Sequence, residues 1–310
     1  MDLFEISTHA SARLIEYLKI YYSLCRFESW PSWIFSFFLG SFIFTLPSLH
    51  RFILMFSSFT CATAFIFIIN QYYDSKYDKN NEYKRQLPIA SDIITPRKSL
   101  MFSIILSILS LFIATYTDIK ILPYLLIYIG LGIAYSAPII NLKTKPIIDF
   151  IVSGVGAGYL PFLIGLGTSK QLYLNNLFIL SISVPLILYQ SGGHIIQSVG
   201  DYHSDKREGL NTFSVRFGRK KAMVTAGILF ISAGIYPFIY ILFGFLQAHH
   251  IILCLILIPF IMPIIKRFMV LYFNPSDINV LYLKSTVNNV GLLILFIISA
   301  YILVFRFIYI

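Results

Sequence analysis

Long runs of apolar residues separated by short polar segments make up most of this chain from about residue 31 onward. A helix of roughly 20 apolar residues is long enough to cross the hydrocarbon core of a bilayer. The runs therefore predict an all-α, polytopic membrane protein with about nine transmembrane helices. We place these helices at about 31–49, 52–73, 99–117, 121–140, 146–167, 172–196, 221–245, 250–272 and 285–308.

The first 30 residues follow a different pattern, in which charged side chains interrupt the apolar positions. The interrupting charges are Asp2, Glu5, Arg13, Glu16, Lys19, Arg26 and Glu28. A signal peptide needs an unbroken apolar stretch and a small-residue cleavage site, so this segment is not one. Its pattern favours an amphipathic helix lying on the membrane. Since no linker divides the chain, we expect one membrane domain over 1–310, with this segment preceding a nine-helix core at 31–310.

Composition supports the membrane interpretation. The chain is 57% hydrophobic and only 12% charged, more apolar than a soluble domain of 310 residues requires, so the lipid bilayer is its expected surrounding. The net charge of +10 is scattered over short loops, which is typical of membrane topology and not of a nucleic-acid-binding patch. Cys25, Cys61 and Cys254 lie too far apart to indicate disulfides or a metal site. No feature indicates an obligate protein partner.

The distribution of basic residues predicts the orientation. With the N-terminus in the cytoplasm, only four of the 24 Lys and Arg residues fall on the outer side, namely Arg51, Lys120, Lys170 and Arg306. Cytoplasmic loops of membrane proteins carry the excess of Lys and Arg. We therefore expect a multi-pass protein of the cell inner membrane, with its N-terminus and its longest polar loops in the cytoplasm.

Two acidic motifs close apolar runs on the predicted cytoplasmic side. The first contains Asn70, Asp74 and Asp78, and the second contains Asp201 and Asp205. Residues four apart lie on one face of a helix, so each motif brings two carboxylates together in a chain with 14 acidic residues. Mg²⁺ takes oxygen ligands and binds through one or two carboxylates plus substrate phosphates. The motifs predict a metal–diphosphate site; solvated helix caps are the alternative.

The loops that follow the two motifs are both long, basic and on the same predicted side. This similarity indicates a weak internal repeat, in which two halves face each other around a shared central chamber. A third loop on this side reads Tyr135-Ser136-Ala137-Pro138, and Lys143 lies eight residues after the tyrosine.

Together these motifs resemble the UbiA-type superfamily of intramembrane prenyltransferases, from the second predicted helix to the seventh. The resemblance implies that Mg²⁺ is held against the diphosphate of an isoprenoid donor by Asn70, Asp74, Asp78, Asp201 and Asp205. It also implies a diphosphate-binding role for Lys143, Tyr135 and Asn70. Lys84 and Arg85 occupy the basic position after the first motif, and we expect Arg85 to reach the phosphate because its planar fork suits paired oxygens. The four aspartates and Lys143 are the expected catalytic set.

The chain departs from the family pattern at three positions. Gln197 and Ser198 replace an Asn-Asp pair before the second motif, which removes one carboxylate from the second metal subsite. Asp92 replaces the usual glycine after the Pro88–Ser91 segment. None of these changes removes a residue of the core motifs, so an active enzyme is expected.

Asp149 and a glycine run have two interpretations each. Asp149 begins the fifth predicted helix, where the helix dipole favours an acid, although an intramembrane acid also has a possible role in acceptor binding. Gly154, Gly156 and Gly158 indicate close helix contacts more than a nucleotide-binding loop. His194 and the other histidines show no zinc spacing.

The acceptor is the least constrained part of the prediction. The segments 70–91 and 209–218 look most like branches that prenylate lipophilic aromatic, quinone-type acceptors, which is the main expectation. A carotenoid, a glyceryl phosphate or a chlorophyllide is the alternative. From another class, a cation-coupled transporter would place its acids deep within its spans, whereas these lie at helix ends beside basic loops. A CDP-alcohol phosphotransferase would need a continuous Asp-Gly and Ala-Arg motif, which is absent.

Overall fold

The computed structural model describes residues 15–82, 84–169, 176–244 and 251–308, and these ranges contain helices and turns without strands. A first helix covers 15–25 and is named α1. The helices that follow are α2 (Pro31–Phe42), α3 (Leu49–Asp78), α4 (Pro96–Thr117), α5 (Leu122–Ser136), α6 (Pro146–Gly154), α7 (Leu160–Leu166), α8 (Asn176–Gly200), α9 (Tyr202–Arg207), α10 (Phe213–Phe217), α11 (Arg219–Leu242), α12 (Ile251–Phe273) and α13 (Asp277–Ile308).

Proline residues set the starts of several helices. Pro31, Pro96 and Pro146 each occupy the first position of a helix, where a missing N–H costs nothing and the fixed φ suits the helix. Thr95 caps α4, because its side-chain oxygen accepts a hydrogen bond from the backbone N–H of Lys98 at 3.4 Å. Local sequence therefore fixes where the polar loops enter these helices.

Within the described residues, seven helical segments are long and apolar enough to cross a membrane. The predicted all-α membrane fold is confirmed, but the count of nine is not. The first predicted span, 31–49, is wrong as a single crossing: α2 has 12 residues and ends at Phe42. Pro47 rules out a continuous helix through 49, since a proline and the residue before it disfavour continued helix, but the helix already ends five residues earlier. The last predicted span lies within the 32-residue helix α13.

The described helices build two large apolar cores and a smaller third one, which packs the end of α1 against α3 and the loop after it. The first joins α2, α3, α5 and α7 through side chains such as Phe37, Phe59 and Tyr128. The second joins α8 with α11, α12 and α13 through side chains such as Met223 and Leu271. The site described below lies between these two cores, as the internal repeat predicted.

Glycines allow α8 to approach the segment that runs from α6 to α7. That segment contains one π-helical turn, Val155–Tyr159. A Cβ added at Gly154 would lie 2.7 Å from the carbonyl oxygen of Ile187, and one added at Gly158 would lie 2.8 Å from the carbonyl group of Leu186. Both distances are too short for a side chain. The prediction of close helix contacts is therefore correct for these two glycines, whereas Gly156 has room for a Cβ.

Three loops predicted to lie outside the cell meet at one end of the bundle. The Arg51 guanidinium donates to the backbone oxygen of Gly167 at 3.0 Å and forms an ion pair with Asp118. The acidic motifs lie at the other end of α3 and α8. The two sets of loops thus lie at opposite ends of the bundle, as the predicted topology requires. Which end faces the cytoplasm stays a prediction. Lys170 lies outside the described residues.

The predicted amphipathic segment is described only in part, since 1–14 lie outside the described residues. Within α1, Ile15, Leu18 and Tyr22 are exposed at a spacing that puts them on one helical face. Glu16, Tyr17 and Lys19 are also exposed, and Lys19, four residues after Ile15, lies on the same face as Ile15. The amphipathic surface helix therefore stays a prediction.

Candidate active site

A cavity of about 1410 Å³ lies between the two cores, and both acidic motifs line it. Asn70, Asp74 and Asp78 enter from α3, while Asp201 and Asp205 enter from the end of α8 and from α9. Tyr135, Lys84 and Lys143 line the same cavity. The structure therefore brings together residues that lie up to 135 positions apart in the sequence.

The first motif is helical throughout, because α3 continues to Asp78, five residues beyond the predicted end of the span. The Asn70 amide donates to Asp74 Oδ2 at 2.9 Å and to Ser136 Oγ at 3.3 Å. Lys143 forms an ion pair with the other carboxylate oxygen of Asp74. Only 14% of the Lys143 side chain is exposed, so the ammonium is held at the cavity wall and not in bulk solvent.

The second motif is held by groups from the loop after α3. Lys84 Nζ lies 2.9 Å from Asp201 Oδ2, and the Asn81 amide donates to Asp201 Oδ1 at 3.4 Å. Burial acts to raise the pKa of Asp201, but the Lys84 ammonium outweighs it and holds this pKa below its ordinary value. Burial and then the negative charge of Asp201 raise the pKa of Asp205 to about 7. Thr212 donates a hydrogen bond to Asp205 at 3.0 Å.

The donor set suits Mg²⁺ bound together with a diphosphate. Asp78 is 7% exposed, and its carboxylate makes no hydrogen bond to any residue within the described ranges. Asp74 and Asp201 are close enough to repel it electrostatically, so its charge is only partly compensated. In the described part of the chain, no three acidic, His or Cys side chains converge tightly enough to hold an ion by themselves. Substrate oxygens would therefore complete the coordination, which is how Mg²⁺ is usually bound.

The structure does not support the expectation for Arg85. The Arg85 side chain is exposed and does not line the cavity, whereas Lys84 does. The reason is local: the turn after Asp78 directs Lys84 toward Asp201 and leaves its neighbour facing outward. Lys145 is likewise exposed and outside the cavity, which distinguishes it from Lys143.

Two cations that sequence motifs did not indicate also line the cavity. Arg26 follows α1 and has a positive φ of 53°, and Lys284 belongs to α13. The two are near enough to repel each other, and neither forms an ion pair within the described residues. Arg26 Nε is buried without a hydrogen-bond partner. Neither residue belongs to a short sequence motif, so the sequence alone did not single them out.

Tyr135 contacts groups other than the acidic motifs. Its hydroxyl donates to Asp149 Oδ1 at 2.8 Å and lies 3.1 Å from His194 Nε2. Asp149 is 1% exposed. The hydrogen bonds of Asp149 connect α6 to α5 and to α8. Asp149 therefore makes contacts beyond those of an acid at the start of a helix.

The rest of the cavity wall is predominantly apolar and aromatic. Trp33 and Tyr128 contribute from the first core and Phe67 from α3 beside it, while Phe230 and Phe268 contribute from the second. A long hydrocarbon chain is compatible with such a wall, and rings also attract a cation by about 0.5–2 kcal/mol each. The polar end and the apolar body of the cavity together suit an amphiphile whose head group is an anion.

Comparisons with known proteins agree with this geometry. A model of the UbiA prenyltransferase family matches residues 29–290. The digeranylgeranylglyceryl phosphate synthase of Methanothrix thermoacetophila is 30% identical over 188 residues, which cover 61% of this chain and 67% of that protein. The synthase of the same name from Sulfolobus acidocaldarius is 26% identical over 163 residues, covering 53% of this chain and little more than half, 56%, of that protein.

A solved structure extends the similarity to the fold. A UbiA homologue from Archaeoglobus fulgidus, bound to GPP and Mg²⁺, superimposes with a TM-score of 0.71 at 23% identity, covering 91% of this chain and 99% of that one. The fold, the paired acidic motifs and the family match agree. The chain belongs to the UbiA prenyltransferase family.

Proposed function

We propose that this protein transfers a prenyl chain from an allylic diphosphate to the free hydroxyl of a glyceryl phosphate lipid. The names of the relatives from Methanothrix thermoacetophila and Sulfolobus acidocaldarius support this acceptor class. They do not support the quinone-type aromatic acceptor that the sequence segments favoured. The alternative acceptor of the sequence analysis therefore becomes the leading hypothesis.

The observation that carries the proposal is the number and pairing of cations in the cavity. Lys84 and Lys143 are paired with motif acids, whereas Arg26 and Lys284 form no ion pair among the described residues. A diphosphate donor accounts for the first pair. A second anionic group, such as the phosphate of the acceptor, accounts for the second pair, because buried or partly buried charges need compensation. With an uncharged aromatic acceptor, the charge of Arg26 and Lys284 would be offset by nearby acids with which they form no ion pair among the described residues, namely Asp78, Asp201 and Glu28.

We propose the following roles around the donor. Asn70 and the four motif aspartates hold Mg²⁺, which supplies a Lewis acid for the departing diphosphate. Lys143 and Lys84 lie beside these acids and neutralise the charge that develops on the leaving oxygen. The apolar wall excludes water from the allylic carbon, so the acceptor oxygen and not water attacks it. Both motif loops face the cytoplasm in this proposal, where diphosphates and Mg²⁺ are available.

A competition between acceptors tests the proposal. Purified protein is supplied with Mg²⁺, a labelled allylic diphosphate, and either a glyceryl phosphate bearing one prenyl ether or an aromatic acid of quinone precursor type. We expect labelled product with the glyceryl phosphate lipid only. Replacing Arg26 and Lys284 by Gln should raise the KM for this acceptor at least tenfold while the donor KM changes little. Efficient prenylation of the aromatic acid, and none of the lipid, would contradict the proposal.

A further inference from the structure

Three polar groups from three helices meet in the cavity wall, of which Asp149 is buried and Tyr135 and His194 are partly buried. The Asp149 carboxylate on α6 accepts a hydrogen bond from the Tyr135 hydroxyl on α5 at 2.8 Å. The same oxygen, Oδ1, lies 2.8 Å from His194 Nε2 on α8. Tyr135 and His194 are themselves 3.1 Å apart. These three contacts involve none of the motif acids and neither Lys84 nor Lys143.

The chemistry of the three groups fixes the state of the histidine ring. An ionised carboxylate only accepts hydrogen bonds, so the Tyr135 hydroxyl and the His194 Nε2–H are its donors. In a neutral imidazole the other nitrogen, Nδ1, then carries the lone pair. Nδ1 has no hydrogen-bond partner in the described part of the chain. His194 lines the cavity, and 17% of its side chain is exposed there.

The position of this group matches that of a reacting acceptor. His194 precedes Asp201 by seven residues, about two helical turns or roughly 10 Å toward the membrane interior. Tyr135 is adjacent to Ser136, which contacts Asn70 of the first motif. The ring therefore lies on the apolar side of the diphosphate site, where the first carbon of a bound prenyl chain would lie.

We propose that His194 is the general base that removes the proton from the acceptor hydroxyl, and that Asp149 positions it. This inference rests on the proposed function, because forming an ether from an alcohol releases a proton. The acceptor oxygen forms a bond to the first carbon of the prenyl chain, and the bond from that carbon to diphosphate breaks with its electron pair. The hydroxyl proton passes to His194 Nδ1, and Asp149 stabilises the imidazolium until water removes the proton. The same division of roles operates in other Asp–His pairs.

A purely structural role for the network makes different predictions. If Asp149 only ties α5, α6 and α8 together, substitutions should reduce stability and impair binding and transfer alike. If His194 is the base, its loss should impair only the step that consumes the acceptor. Ionisation of the donor does not involve the acceptor proton, so the two half-processes can be measured separately.

The test compares His194→Gln with His50→Gln in the full-length protein. Glutamine keeps an amide donor for Asp149 but cannot take the proton, and His50 is exposed at the far end of α3. For each variant we would measure the release of diphosphate to water without acceptor, the kcat of transfer to the prenyl glyceryl phosphate, and the melting temperature. His194→Gln should lower transfer by roughly 10²–10⁴-fold, with the other two quantities close to wild type. His50→Gln should change none of them.

A second acceptor keeps the test decisive. An analogue with a thiol in place of the hydroxyl ionises near pH 8.5 and needs little help from a base. Transfer to this thiol should be reduced less than tenfold in His194→Gln and in Asp149→Asn. Two results would overturn the proposal that His194 is the base: normal transfer to the hydroxyl acceptor in His194→Gln, or an equal loss of transfer with both acceptors. A wild-type protein that prenylates neither acceptor would refute the proposed function instead.

Discussion

Replacing Lys143 by alanine should impair the chemical step far more than replacing Lys145. The two lysines are two residues apart on one loop, and a loop that is basic only for membrane orientation would treat them as equivalent. In the structure Lys143 pairs with Asp74 at the cavity wall, whereas Lys145 is exposed and outside the cavity. The pair is therefore an internal comparison of site chemistry with topology.

The expected magnitude follows from the surroundings of the ammonium. Since 14% of the Lys143 side chain and 16% of the Asp74 side chain are exposed, little water is present to replace the lost charge. Losing a charged contact to a leaving group in such a site costs about 2–4 kcal/mol of transition-state stabilisation. This corresponds to a decrease of roughly 30- to 1000-fold in kcat/KM for the donor. Lys145→Ala should reduce it less than twofold.

Steady-state kinetics with each substrate varied in turn would provide the measurement. Lys143→Ala should lower kcat together with kcat/KM for the donor and leave the acceptor KM nearly unchanged, because the charge matters most as diphosphate departs. A double variant, Lys143→Ala with Asp74→Asn, tests whether Lys143 contacts the substrate or only holds Asp74 in place. Additive losses in the double variant would indicate that each residue contacts the substrate independently. Equal and mild effects of Lys143→Ala and Lys145→Ala would refute the reasoning. Lys143 would then no longer count as a site residue.

Three further predictions concern the metal, the topology and the packing. EDTA or Asp74→Asn should lower turnover at least a hundredfold without loss of membrane insertion, and near-normal activity in either condition would contradict a metal-dependent site. A single cysteine at Arg207, in a background without the native cysteines, should resist impermeant thiol reagents in intact cells; labelling from outside would reverse the orientation. Gly158→Ala should lower the melting temperature, because overpacking costs about 1–3 kcal/mol. Gly130→Ala should not lower it, because the added methyl group has open space around it. Equal melting temperatures of the two variants would contradict this prediction and would mean that α8 moves away from the added methyl group.

The acidic motifs and most of the spans could be predicted because each depends on residues close in sequence. Apolar runs determine which segments are membrane helices, and spacing by four determines that Asp74 and Asp78 share a face. The first span was mispredicted because hydropathy alone does not register a chain break. The helix ends at Phe42 although the next residues remain mostly apolar, and Pro47 then prevents it from continuing to 49.

Asp92 shows how a departure from a family pattern acquires a physical reason. The sequence marks only that an aspartate replaces the usual glycine. In the structure this residue has a φ of 61°, in the left-handed region that glycine adopts readily and aspartate tolerates better than most residues. Its carboxylate lies 2.8 Å from Lys79 in an exposed ion pair. The substitution therefore retains the turn, and the loop that carries Lys84 keeps its course.

The acceptor could not be predicted from the motifs, and the reason lies in what the motifs contact. Asp74, Asp201 and Lys143 lie around the proposed diphosphate site, so in our proposal they are needed for an allylic diphosphate donor whatever the acceptor. In our proposal, the groups that distinguish acceptors lie elsewhere on the same cavity wall: Arg26 and Lys284, which form no ion pair among the described residues, for an anionic head group, and His194 for a hydroxyl proton. Their residues are isolated in sequence and become neighbours only when α1, α8 and α13 close around the cavity. The proposal therefore makes acceptor specificity a property of helix packing, and it predicts that substitutions at Arg26 and Lys284 change this specificity while every motif stays intact.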